Sequence, residues 1–377
     1  MDDKSYLTDS EKGQGGEMRE LSAYSFEIGA IRPPSEGGSC SLLLRVTRNC
    51  PWSRCKFCYG TPYNREKFQL RTVEEIKQDI QAVKAISDEL KQVSWQLGYA
   101  GQINSVVVTK ILEREPDLRR SYSFFTVFEW LSAGGGTAFL QDADSLIIRT
   151  PDLIEVVKYL KETFPSVQRI TSYARSKTIC RKRPDELKDI RAAGLNRLHV
   201  GLESGDDELL RHYDKGVTGE QHIMAGRKAK EAGFEYSAYV MPGLGGRSKV
   251  EQHAQNTARV LNEIDPHYIR LRPFVPRPNT PAFDEYQRGN FQLSSPHELL
   301  RELRTIIAAL TVTSRLCFDH MRNAWYKKSG RLLFTQDYEG YKLPEEKEKV
   351  LQLIEEGLRV REWMHVHARD MVAMPQL

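Results

Sequence analysis

Eleven residues constrain this chain more than any others. The stretch Arg48-Asn49-Cys50-Pro51-Trp52-Ser53-Arg54-Cys55-Lys56-Phe57-Cys58 places three of the six cysteines in the spacing C-x4-C-x2-C. The run before it, Ser41-Leu42-Leu43-Leu44-Arg45-Val46, reads as a buried strand, so the thiols lie on a loop that leaves a strand end. Three thiolates on one loop can converge on a single soft metal centre. Three is one too few for a closed zinc site, which takes a fourth protein donor. A four-iron cluster held this way leaves one iron open to a small molecule. The alternatives are a zinc loop or a set of buried free thiols.

Beyond the loop the chain alternates helix and strand. Thr72 and Glu75 have capping-box spacing, and Val73, Ile76, Ile80, Val83, Ile86, Leu90 and Val93 give the following helix one apolar face. Further helices are expected at 104–114 and 121–132. This is more than one crossover needs, and it predicts an inserted helical subdomain over about 85–133. Strands are then expected at 137–142, 167–173, 197–202, 234–241 and 268–274, with helices between them. Ser248 and Glu251 again have capping-box spacing. Helix, Ala-Gly, apolar strand occurs at 192–195 and 231–234, the rhythm of a parallel sheet. A β-like run, 311–317, and a polar helical tail from Pro344 follow.

Composition adds bounds. With 377 residues, the chain can form one large barrel with additions or two domains. Hydrophobic residues make up 40% and charged residues 28%, an ordinary globular balance, and no apolar run approaches the ~20 residues that span a bilayer. Met1 to Glu20 has no apolar segment of a signal peptide, and a cysteine cluster needs a reducing compartment, so a cytoplasmic location is expected. The net charge of +4 permits an anionic substrate or RNA without arguing for either.

Strand, cysteine loop with Phe57 one residue before the third Cys, then helix resembles the start of a radical S-adenosylmethionine (SAM) enzyme. The family's commonest spacing is C-x3-C-x2-C, and this chain has one extra residue between Cys50 and Cys55. The stretch His199-Val200-Gly201-Leu202-Glu203-Ser204-Gly205 is similar to one in oxygen-independent coproporphyrinogen oxidases and elongator-type enzymes, as are Arg183 to Leu187 and Ala193 to Arg197. The resemblance, over about residues 38 to 290, implies an α/β fold: an open, partial, six-strand βα TIM-like barrel. The expected organisation is an N-terminal extension, 1–37, the barrel, 38–290, and a mostly helical C-terminal extension, 291–377.

In such barrels the reactive groups follow the C-terminal ends of the strands. The resemblance implies that Cys50, Cys55 and Cys58 ligate a [4Fe–4S] cluster and that SAM binds the open iron. It places Phe57 near the adenine, Asp142 and Asp144 at an acidic strand end that receives the SAM ammonium, and Glu203 with Ser204 on the ribose or amino group. It also places Lys215 on the SAM carboxylate, and Met241 and Gly243 in the adenine-side turn. Gly134-Gly135-Gly136 follow a helix and precede a strand, which puts them on the opposite face, where they cap the helix. Tyr173, Arg175 and Lys177 follow the third strand and could face SAM or substrate. Cys40, Cys180 and Cys317 are isolated, so one cluster is expected. Cys317 and His320 follow the β-like run and are candidate catalytic groups on the substrate side.

The expectation is a radical SAM enzyme whose reduced cluster cleaves SAM to a 5′-deoxyadenosyl radical that takes hydrogen from a substrate. A low-potential donor such as flavodoxin or ferredoxin would supply the electron. A small-molecule substrate is expected ahead of RNA, and no membrane partner is expected. The alternatives are a tRNA-modifying radical enzyme and a non-catalytic metal-binding module.

Overall fold

Parallel strands must be covered on both faces, and this chain meets that need with two different surfaces. The computed structural model describes residues 20–31, 41–61 and 65–372. One sheet has the strand order β1-β4-β5-β6-β7-β8-β9-β10. Its members are β1 (Leu42–Arg45), β4 (Thr137–Gln141), β5 (Arg169–Ala174), β6 (Leu195–Glu203), β7 (Glu235–Val240), β8 (Tyr268–Leu271), β9 (Arg315–Cys317) and β10 (Tyr341–Lys342). A separate antiparallel pair, β2 (Thr47–Arg48) and β3 (Gln69–Leu70), brackets the cysteine loop.

All pairings from β1 to β9 are parallel, and β10 is antiparallel to β9. The six expected strands are therefore present in the expected order, and the sheet is open, as in a partial TIM-like barrel. It also continues past the sixth strand. The run expected over 311–317 shortens to β9 and pairs in parallel with β8, with Ile269 opposite Leu316.

The two faces follow the period-two alternation of strands. Leu42, Leu44, Ala138, Leu140, Leu198, Val200, Ala238 and Val240 point outward into one continuous apolar core shared with the helices. The inward set is aromatic and polar. Phe139, Tyr173, His199 and Tyr239 meet at ring-centroid distances of 5.0 to 6.2 Å and fill the middle of the barrel. Below them Arg197 lies over the Tyr268 ring at 4.4 Å, and Arg270 lies over Tyr338 at 4.3 Å. Tyr338 comes from the loop after β9 and packs at the N-terminal end of the strands.

The helices are α1 (Val73–Gln96), α2 (Ser105–Arg114), α3 (Tyr122–Ser132), α4 (Thr150–Thr163), α5 (Ser176–Arg181), α6 (Pro184–Ala193), α7 (Asp207–His212), α8 (Gly219–Glu231), α9 (Val250–Ile264), α10 (Pro281–Gln287), α11 (Pro296–Ala309) and α12 (Lys347–Arg359). The Thr72–Glu75 capping box forms at α1. The Ser248–Glu251 box does not. A short turn, Arg247–Lys249, intervenes, and α9 starts from Lys249 with no side-chain cap. Helices α2 and α3 bury Val107, Ile111, Phe124, Val127 and Trp130 in the same continuous core as the sheet. Gly134 and Gly135 end α3 by donating to the Leu131 and Trp130 carbonyls, on the face away from the site. Of the lead-in expected over 1–37, only residues 20–31 are among those described, and Cys40 lies outside them. Among the described residues no helix is long and apolar enough to cross a membrane.

Candidate active site

The cysteine loop is fastened at both ends before it reaches the cavity. Asn49 takes a left-handed turn (φ 60°) directly after β2. Its side-chain oxygen accepts the Cys50 N–H at 2.6 Å, and its own N–H donates to Asp142 at 3.3 Å. The far part docks on the turn between α7 and α8: Lys56 N–H donates to the Tyr213 carbonyl at 2.9 Å, and the Trp52 indole N–H donates to the Asp214 carbonyl at 2.6 Å. Gly216 (φ +74°) allows this contact, since a Cβ there would stand 2.6 Å from the Trp52 ring. Arg54 and Arg175 both lie over that ring at 5.2 Å. Trp52 sits in the longer-than-usual Cys50–Cys55 segment, and its docking gives that extra length a fixed place.

Cys50, Cys55 and Cys58 open onto one cavity of about 330 Å3 at the C-terminal end of the strands. This is at the small end of ligand pockets, which run from about 300 to 1,000 Å3. Strand ends and the residues just past them deliver its walls: Ala143 beyond β4, Tyr173 from β5 and Arg175 beyond it, His199, Gly201 and Glu203 from β6, Tyr239 from β7 and Met241 beyond it, and Arg272 beyond β8. The strand register slips between Gly201 and Glu203, and Glu203 has φ 64°. Such a bulge re-aims a side chain at a sheet rim. Here it turns the Glu203 carboxylate onto Lys215 at 2.8 Å, and a Cβ on Gly201 would collide with both. Burial works against the Lys215 charge, but Glu203 and Cys55 outweigh it and raise the Lys215 pKa. The ammonium also lies 5.7 Å from the Phe57 ring centre.

Of the residues expected at the site, the structure gathers Cys50, Cys55, Cys58, Phe57, Glu203, Lys215, Met241 and His320 around this cavity. Phe57 and Met241 pack on the Tyr213–Phe274 cluster and make its apolar wall. The His320 ring is held at about 3 by burial and by Arg272 and Arg322, so it is neutral. Its Nδ1 accepts the Arg322 N–H at 3.1 Å, which leaves the proton on Nε2.

Five expected residues do not line the cavity. Asp142 is drawn sideways to Arg45 Nε at 2.8 Å, in a network where Arg45 also meets Glu27 and Glu66. Asp144 is fully buried and accepts from the Thr178 hydroxyl and the Arg175 N–H. Between these two carboxylates, Ala143 is the residue that faces the cavity. The Ser204 hydroxyl accepts the Asp206 N–H at 3.0 Å at the start of α7. Gly243 donates its N–H to buried Glu302 at 2.9 Å. The Cys317 thiol is buried against the Tyr338 carbonyl at 3.4 Å, and burial pushes its pKa up to about 12.

Sequence reasoning missed Tyr239, Arg272, Arg277 and Arg322, and left His199 without a role. His199 and Tyr239 precede Gly201 and Met241 by two residues, so period-two counting finds them. Arg272 follows the sixth strand as Glu203 follows the fourth. Arg322 arrives on the loop after β9 and has no local signal.

Asp144 carries a testable pH dependence. Burial raises its pKa to about 6 against the two donors that favour its charge. A carboxyl raised in the fold favours the folded state below its unfolded pKa, near 4, and that stability is lost as pH rises through about 6. Asp144→Asn removes the loss. We expect its stability relative to the parent to improve by about 3 kcal/mol between pH 4 and 7. Denaturant midpoints against pH check this, and parallel curves contradict it.

The thiols suit a cluster. Burial above all pushes the Cys55 and Cys58 thiols up, and neighbouring thiolates add to it, Cys58 and Cys50 on Cys55 and Cys50 on Cys58. Among the described residues no three His, Cys, Asp or Glu side chains converge on a position for one metal ion. In a four-iron cluster each thiolate takes its own iron, so the sulfurs stand apart.

A sequence model described as the radical SAM superfamily matches residues 44–257. Elongator complex protein 3 of Bos taurus is 26% identical over 166 residues, 44% of this chain and 30% of its own length. Heme chaperone HemW of Bacillus subtilis is 30% identical over 125 residues, 33% of this chain and 32% of its own. The tRNA uridine(34) acetyltransferase of Methanocaldococcus infernus is 23% identical over 171 residues, 42% of this chain and 32% of its own. The matched segments span about a third of the length of these relatives. The elongator-type resemblance of the Gly201–Ser204 stretch agrees with the first of them.

Proposed function

The chain belongs to the radical SAM superfamily, and on that premise we propose that it is a radical SAM enzyme in which Cys50, Cys55 and Cys58 hold a [4Fe–4S] cluster and the strand ends beside them bind SAM. Members of this superfamily hold both groups. When bound, the two would supply a 5′-deoxyadenosyl radical, the one-electron cleavage of SAM leaving methionine as its other product, and that radical would take a hydrogen atom from the substrate. The observation that supports the reading is the opening of three thiols and the Glu203–Lys215 pair onto one cavity.

The residues divide the work. Glu203 offers a carboxylate to the SAM ribose or amino group, and Lys215 offers an ammonium to the SAM carboxylate. Each already holds the other in place, so neither side chain has to be ordered when SAM arrives. Phe57 and Met241 present an apolar wall for the adenine. Asp142 ties the strand carrying Arg45 to the start of the cysteine loop, and Asp144 fixes the turn that carries Arg175. Both carboxylates thus act on the position of the loop and rim. Tyr173, His199 and Tyr239 close the floor with aromatic rings, which excludes water from beneath the reacting groups.

A second reading, RNA modification, draws on the similarity to a tRNA uridine(34) acetyltransferase. Copurified tRNA would favour it. The test of the main reading is composition: anaerobically purified protein should contain iron and acid-labile sulfide in equal amounts. Zinc without sulfide would overturn it.

A further inference from the structure

The rim on the β8–β9 side gathers arginines at the mouth of the cavity. Arg272 and Arg277 follow β8, Arg322 follows β9, and all three line the cavity with His320. Asp319 is the carboxylate that meets Arg272, and it is shared. It accepts from Arg272 Nη1 at 3.0 Å and from Arg270 Nη1 at 2.5 Å. Arg272 is 11% exposed and lies 4.7 Å over the Tyr239 ring, and its Nη2 has no hydrogen-bond partner among the described residues. Arg322 donates at 3.5 Å to the Pro273 carbonyl. Burial, with Arg277 and Arg272 nearby, pushes the Arg322 pKa down to about 10, the mark of a guanidinium held among like charges. A buried donor without an acceptor is costly, so this rim suits an acceptor that arrives from outside the chain.

SAM does not meet that need. It carries a sulfonium, an ammonium and a single carboxylate, a net positive charge. The group proposed for its carboxylate is Lys215, on the turn between α7 and α8.

We propose that Arg272 and Arg322 bind an anionic group of the substrate, a carboxylate or a phosphate. This rests on the reading of the cavity as the active site of a radical SAM enzyme. Guanidinium forks match both anions through paired N–H donors, which an ammonium cannot do. The neutral His320 adds an Nε2–H donor without adding charge. Anchored there, the substrate would lie against the Tyr239 ring.

The test uses cluster-loaded protein and two probes, glutarate and inorganic phosphate, titrated calorimetrically against chloride at matched ionic strength. At least one probe should bind roughly tenfold more tightly than chloride, and the tighter one identifies the anion as carboxylate or phosphate. Arg272→Gln and Arg322→Gln should each weaken that probe by roughly tenfold or more while leaving SAM affinity within about twofold. Arg304→Gln on the outer face of α11, where Arg304 pairs with Glu355, is the control and should bind as the parent does. Probes that bind no better than chloride, or variants that bind as the parent does, overturn the proposal. So does a parallel loss of SAM affinity, which would assign the arginines to SAM. Assaying the same preparation for 5′-deoxyadenosine separates the two readings. Product with no arginine-dependent anion binding removes only the anion site. Arginine-dependent binding without product removes the enzyme reading and leaves the site standing.

Discussion

Serine at Cys50, Cys55 or Cys58 is expected to abolish cluster assembly, while Cys180→Ser leaves it intact. The three loop thiols share one cavity, whereas Cys180 lies in α5, outside that lining, and donates to the Gln221 carbonyl at 3.3 Å. A serine hydroxyl stays protonated where a thiol gives a thiolate, and three ligands leave no spare to replace the missing one. The expected loss is therefore nearly complete for each loop variant. Iron-to-protein ratio and sulfide-to-iron absorbance measure it. A loop variant with the parent's iron content would remove that cysteine from the ligand set.

The second large effect is on SAM. Glu203→Ala should retain the cluster and weaken SAM binding by about 1.5–3 kcal/mol, roughly 10- to 100-fold, through loss of a charge-assisted hydrogen bond. The variant also strips Lys215 of the carboxylate that holds it, so the ammonium loses its fixed position beside the thiols. Glu203→Gln keeps the shape and removes the charge, and should fall between. Calorimetry on cluster-loaded protein gives the comparison. Affinities equal to the parent's would show that the pair only braces the bulge at the end of β6.

These effects rest on features the sequence displays locally. The cysteine spacing, the Gly201–Ser204 stretch and Lys215 are each short runs of chain, and the structure brings them together because a parallel sheet delivers every strand end to one rim. The six strands were legible for a related reason: their apolar outward residues recur at every second position. Long-range pairing was not legible. Asp142 and Asp144 are acidic residues at a strand end, but Arg45, ninety-seven positions from Asp142, captures one, and the Thr178 hydroxyl with the Arg175 N–H captures the other. Cys317 looked available after a β-like run because nothing in that run says β9 would pair with β8 and turn the thiol toward Tyr338. The arginine rim divides in the same way. Arg272 follows from the strand-end rule, while Arg322 owes its place to a loop that folds back over the barrel mouth.

The central claim is that this chain uses its three-thiol loop to break a carbon–sulfur bond of SAM. Chromatography of an anaerobic, dithionite-reduced reaction of cluster-loaded protein with SAM tests it most directly. The account predicts 5′-deoxyadenosine and methionine, formed slowly even without substrate and absent from the Cys55→Ser protein. Methylthioadenosine in their place would contradict the assignment of the broken bond. Neither product from fully loaded protein would contradict the account itself.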